Sequence, residues 1–197
     1  MKGERQRHGF QFEDWLKKQF FDIFYTSKWD VPGELNPQHR GVPISIKTAK
    51  WHGSIYFGDA LRQFDVNEPF DLVVAFWRLY KGKKKIVKIT EVLIQPADWR
   101  KWWGSLERKD LEELDLSIKN REASHEAARR RAQEIKRRLA GRGGIVTLNP
   151  KIDSKTQRRL QCSIAFSDFF QQVVKEESPT EDSEFCLWGK TIHPPML

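Results

Sequence analysis

Apolar residues recur at three- and four-residue steps through Phe12, Trp15, Leu16, Phe20, Ile23 and Phe24, which predicts an amphipathic helix from Phe10 to Phe24. Glu13 falls in its first turns, where an acid either complements the helix dipole or reaches a neighbouring site. Tyr25 to Val31 reads as a short extended run closed by Pro32-Gly33. From Val42 to Ala49 the pattern alternates: Val42, Ile44, Ile46 and Thr48 share one face, and Pro43, Ser45, Lys47 and Ala49 the other. Ser45 and Lys47 therefore point the same way. After a loop or short strand from Lys50 to Phe57, Gly58-Asp59 precedes ALRQF, a short helix for which Asp59 is a natural N-cap. Asp71 to Trp77 is an apolar run suited to a strand covered on both faces, and Lys85 to Ile94 alternates more. The KGKKK between them suits a solvated hairpin tip.

Downstream, Pro96-Ala97-Asp98 opens a helix carrying Trp99, Trp102 and Trp103, whose spacing indicates core or subunit interface before base stacking. Residues 107–141 are helical, broken near Asn120, acidic at first and then strongly basic. Arg121 to Arg142 holds eight Lys/Arg against three Glu, on a narrow apolar stripe of Ala128, Ala132, Ile135 and Leu139. Such a helix packs along one edge and shows its arginines to solvent or to phosphates. IVTLN, after Gly143-Gly144, reads as a strand, and another turns apolar at Cys162 to Phe166. The acidic EESPTEDSE reads as a linker, followed by an arm whose Phe185, Leu187 and Trp188 dock on this subunit or a partner. These elements give an α/β (α+β) fold: a mixed central sheet flanked by helices, with an added basic helical segment. The expected organisation is one domain over 1–174, with a core at 10–94, the basic segment at 107–141 and a DNA-reading strand region at 145–166; a tail spans 175–197.

The bulk properties narrow the function. With 197 residues, 39% hydrophobic, the chain is long enough to bury a core. No apolar run approaches the roughly 20 residues of a membrane span, and the N-terminus lacks a signal-peptide core, so a cytoplasmic protein without membrane contact is expected. The net charge of +8 favours a polyanionic partner, most simply nucleic acid. Cys162 and Cys186 form no CxxC and no Cys/His pairing at zinc spacing, which points to a reduced compartment without structural zinc. There is no P-loop, GxSxG or HExxH.

The chemistry concentrates between Trp29 and Arg62. Asp30 closes an aromatic-rich run, Lys47 lies near the end of the alternating strand, and Asp59 follows twelve positions later. Carboxylates that hold a hard cation, with an ammonium to serve the attacking water, are what metal-assisted phosphodiester hydrolysis needs. A helix acid, a strand Asp, a strand x-x-Lys, a helix and a further apolar strand together resemble the PD-(D/E)XK nuclease superfamily over roughly residues 10 to 94. In that pattern an acid stands two before the lysine, where this chain has Ser45. One branch of type II restriction endonucleases resembles it more closely: its motif is Ser-x-Lys, with the second acid displaced onto the following helix. Ser45, Lys47 and Asp59 match that arrangement, with Asp in place of the usual Glu.

The resemblance implies a restriction-endonuclease-like core and a Mg²⁺-dependent, sequence-specific double-stranded DNA endonuclease, with Mn²⁺ able to substitute, leaving 5′-phosphate and 3′-hydroxyl. Asp30 and Asp59 would hold metal with the Ile46 carbonyl, Lys47 would serve the water, and Glu13 and Glu34 are reserve acids. A palindromic target implies a homodimer. It also implies a prokaryotic setting with a nucleoid-associated substrate, and a companion DNA methyltransferase at the same target. Candidates for DNA contact are Lys50, Arg62, Arg130, Arg137, Lys151, Lys155, Gln157, Arg158, Arg159 and Gln161; Arg and Gln make bidentate contacts to base edges, and phosphates use the same groups. The rivals are a Holliday-junction resolvase or other structure-specific or nonspecific nuclease, a non-catalytic DNA-binding module, and a basic protein without a nucleic-acid role.

Overall fold

A computed structural model of the chain describes residues 4–22, 28–153 and 157–197, so Ile23, Phe24, the first three residues of the run expected from Tyr25 to Val31, and Lys155 lie outside the described residues. The fold is mixed α/β. In chain order the elements are α1 (Glu4–Phe20), β1 (Ile44–Lys50), β2 (Ile55–Asp59), α2 (Ala60–Phe64), β3 (Phe70–Tyr80), β4 (Lys83–Ile94) and α3 (Pro96–Trp102). There follow α4 (Arg108–Lys119), α5 (His125–Arg138), β5 (Val146–Ile152), β6 (Arg158–Ile164), α6 (Phe166–Asp168), which runs on as a π-helical segment at Phe169–Val174, and a small hairpin of β7 (Phe185–Leu187) and β8 (Lys190–Ile192). Among the described residues no helix is long and apolar enough to cross a membrane.

The chain divides into two compact units. The first comprises 1–55, 69–95 and 166–197, and the second 56–68 and 96–165. Residues 56–68, expected to belong with the 10–94 core, thus associate with the later helices and strands. The tail from 175 joins the first unit.

The first unit is built on a sheet in the order β1-β3-β4. β1 runs parallel to β3, with Ile44 opposite Asp71 and Lys47 opposite Val74. β3 and β4 form a long hairpin, and Lys81-Gly82 make the turn at its tip. Phe70 to Phe76 is buried without interruption, which explains why this strand carries no polar alternation. On one face Ile44, Ile46, Val73 and Ala75 pack with Phe12 and Leu16 of α1 and with Leu187 and Ile192. Phe12 and Leu16 are fully buried, and each such side chain contributes about 1.5–3 kcal/mol by transfer from water. On the other face Phe76 meets Trp51, Phe169 and Phe170. The acidic stretch expected to be a linker is tied down by Asp182, whose carboxylate accepts from Lys88 Nζ and from the Ile89 N–H. Phe185 and Trp188 lie half-buried against the same core, so the arm docks on its own subunit.

The second unit has a sheet in the order β2-β6-β5, covered by α4 and α5. α5 buries Ala128, Ala132 and Ile135, with Leu139 just beyond it, as the narrow stripe predicts. Trp99 and Trp103 are buried, and Trp99 Nε1 donates to the Gln63 carbonyl at 2.7 Å. Those two tryptophans are core residues, which removes base stacking from their roles.

Candidate active site

The strand alternation that sets Ser45 and Lys47 on one face of β1 brings both to a single carboxylate. Val31 bridges to Ile44 beside β1, and Asp30, one residue earlier, turns its side chain towards the strand. Asp30 Oδ2 accepts the Ile46 N–H at 2.6 Å, Lys47 Nζ at 2.9 Å and Ser45 Oγ at 3.4 Å. Lys47 Nζ also donates to the Ile46 carbonyl at 2.8 Å, so the ammonium is fixed at two points. All the Asp30 bonds fall on Oδ2, and Oδ1 has none among the described residues. Both charged groups are partly open to solvent, Lys47 at 19% and Asp30 at 24%. An ordered ion pair with accessible heads suits chemistry on an incoming ligand.

Glu13 of α1 belongs to the same cluster. Its carboxylate accepts from Lys17 Nζ at 2.5 Å, one helical turn away, and Lys17 is almost fully buried. Burial raises the Glu13 pKa above its ordinary 4.5, and the negative charge of Asp30 raises it further, while Lys17 and Lys47 pull the other way. A divalent cation bound nearby would offset the Asp30 charge that Glu13 feels. Both Glu13 and Asp30 offer oxygen donors, the ligand type a hard metal ion takes.

A pH effect follows. The folded protein holds the Glu13 proton more tightly than the unfolded chain, so ionising it costs folded-state stability. That contribution is lost as pH rises from about 4.5 through the raised folded value. In EDTA, thermal melts between pH 4 and 6.5 are expected to show wild type losing stability relative to Glu13→Gln as pH increases.

The other candidates are distributed differently. Asp59 lies in the second unit and N-caps α2: its Oδ1 accepts the Arg62 N–H at 2.9 Å. Glu34 is exposed in a single 3-10 turn at Gly33–Leu35. Lys50, Arg62, Arg130, Arg137 and Gln157 are exposed, and Lys151 lies over the Tyr56 ring at 4.8 Å. Arg158 is committed within the protein: its guanidinium donates to the Asn120 and Ala123 carbonyls, just past the end of α4. Arg159 and Gln161 are half-buried on β6. Sequence periodicity gave no sign of the Arg158 tether, because the carbonyls it meets are more than thirty residues away.

No family model, curated protein or solved structure matches the chain.

Proposed function

We propose that the chain is a divalent-metal-dependent endonuclease of double-stranded DNA, with Glu13, Asp30, Ser45 and Lys47 as its active-site cluster and a restriction-endonuclease-like core around it. The observation that carries this reading is the convergence of Lys47 Nζ and the Ile46 N–H on one oxygen of Asp30, with the other left over and the Asp30 charge felt at Glu13. Asp30 and Glu13 hold the cation, Mg²⁺ with Mn²⁺ as substitute, which supplies Lewis-acid charge to the scissile phosphate when bound. Lys47 positions the attacking water in line with the leaving oxygen and offsets the charge that develops on the phosphorane. Ser45 steadies Asp30. Cleavage leaves 5′-phosphate and 3′-hydroxyl, and sequence-specific cutting of both strands by a two-fold dimer follows from the restriction-type resemblance.

The exposed arginines of α5 and the net charge of +8 support a nucleic-acid substrate. Arg130→Ala combined with Arg137→Ala is expected to weaken duplex binding and to lower the slope of log affinity against log salt by about 2, one per lost phosphate contact. Fluorescence anisotropy between 50 and 300 mM salt, as roughly chosen limits, reads both. A structure-selective nuclease is the second reading. It gains from Arg158, one of the candidates for base reading, being occupied by carbonyls of its own chain.

The test separates Asp59 from Glu13. Asn caps a helix as well as Asp does, so Asp59→Asn keeps the fold and removes only a metal ligand. With Glu13 and Asp30 as the acids, Asp59→Asn retains cleavage and Glu13→Gln loses about a hundredfold or more. The opposite pattern would move the second ligand to Asp59.

A further inference from the structure

Asp71 stands near the start of β3, the central strand of its sheet, between Ile44 on one side and Leu93 on the other. It is fully buried, an acid in the continuously buried half of its strand, Phe70 to Phe76. Its Oδ2 accepts from Asn36 Nδ2 at 2.5 Å, whereas Oδ1 receives no hydrogen bond among the described residues. What faces Oδ1 is His39 Nε2, at 3.8 Å. Glu91 of β4 pairs with Val73, so it shares the sheet face of Asp71; its buried Oε1 makes no hydrogen bond of ordinary geometry among the described residues, and the Trp188 indole stands beside its carboxylate. One ligand atom from each of His39, Asp71 and Glu91 lies within 4.8 Å of the others.

The surroundings hold this arrangement in place. Asn36, besides binding Asp71, donates to the Val42 carbonyl at 2.8 Å and accepts the backbone N–H groups of Gln38 and His39. One buried side chain thus sets both the loop that presents the imidazole and the carboxylate it faces, as outer partners do at metal centres. Asp71 Oδ1, unpaired, and Glu91 Oε1, with only the Trp188 indole beside its carboxylate, are costly to bury unless something supplies positive charge to them. Ligand atoms around one transition-metal ion lie about 3–3.5 Å apart, so closure by about 0.3–0.8 Å between His39 and Asp71, and by up to about 1.8 Å across the group, seats an ion. His39 is one-third exposed, which leaves that side open to water for a fourth position.

We propose that His39, Asp71 and Glu91 bind one divalent transition-metal ion, with Zn²⁺ the best fit, at a site separate from the Glu13–Asp30–Lys47 cluster. An imidazole with two carboxylates selects Zn²⁺ over Mg²⁺, because nitrogen ligands suit the borderline-soft ion and Mg²⁺ keeps to oxygen and water. The competing arrangement is an ion pair of protonated His39 with Asp71 and a protonated Glu91, which needs no metal.

Calorimetric titration of the full-length, EDTA-stripped and desalted protein with ZnCl₂ decides between them. Wild type is expected to take up one high-affinity equivalent that millimolar-range Mg²⁺ does not displace, and His39→Ala to weaken it by about a hundredfold or more. His39 is partly exposed in a loop, so its replacement spares the core; Glu91→Gln is the second variant and is expected to lose the same equivalent. Glu13→Gln keeps it, which distinguishes this site from the active-site cluster. Absence of a high-affinity equivalent in wild type, or its persistence at full affinity in both His39→Ala and Glu91→Gln, overturns the proposal.

Discussion

Lys47→Met is expected to lower DNA cleavage by about a thousandfold or more while changing DNA affinity by less than about twofold. Positioned proton-transfer groups contribute roughly 10²–10⁴-fold, and one preorganised charge aimed at a transition state about 10²–10³-fold. Lys47 performs both tasks in the proposed reaction, and its Nζ is fixed by Asp30 and the Ile46 carbonyl before substrate arrives. Methionine keeps the aliphatic length and removes only the ammonium. The pair is part-buried, so removing the ammonium also bears on stability, and melting is measured beside cleavage to separate the two effects. Asp30 also keeps the Ile46 N–H, so the carboxylate stays aimed. Unchanged melting and unchanged duplex binding, measured beside the lost cleavage, would place the defect in chemistry. Equal cleavage by the variant would remove Lys47 from the reaction.

Trp99→Ala is expected to cost about 3–5 kcal/mol, the largest single stability loss predicted for the chain. Its ring is buried against Phe57, Trp102 and Trp103, and its indole N–H satisfies the Gln63 carbonyl. The substitution opens a cavity and strands that acceptor. At about 2–4 °C per kcal/mol for a chain of this size, the midpoint falls by roughly 6–20 °C. Trp103 offers the contrast. It is equally buried, but its indole N–H makes no hydrogen bond among the described residues, so Trp103→Phe loses ring area without losing a bond. Trp99→Phe is therefore expected to be the costlier of the two Phe substitutions by about 1–3 kcal/mol, read by denaturant melts of both variants.

The contrast between these sites shows what the sequence makes legible. Local periodicity carries α1, β1, the β3–β4 hairpin, the tryptophan helix and the buried stripe of α5, because each rests on neighbours within a few turns or on an alternating face. The grouping of Ser45 with Lys47 follows from the same alternation. Asp30 reaches them because Val31 pairs beside Ile44, which its distance in the chain from Lys47 does not reveal. Long-range pairing was hidden for the same reason: residues 56–68 join strands 100 residues downstream, and only the β2–β6 ladder discloses it. The docked tail was half visible, as apolar residues after an acidic run, but the anchoring of Asp182 by Lys88 and Ile89 was not. His39, Asp71 and Glu91 left one signal, an acid inside an otherwise apolar, doubly covered strand. Charged residues are rarely buried there without a partner, so Asp71 alone marked the place to look.

The most direct measurement is digestion of phage DNA by the purified protein, with Mg²⁺ and with EDTA. Discrete, reproducible fragments that carry 5′-phosphates, appear only with the metal and vanish in Asp30→Asn are the predicted result. Intact DNA across a range of salts, with both Mg²⁺ and Mn²⁺, would contradict a nuclease role for the Glu13–Asp30–Lys47 cluster.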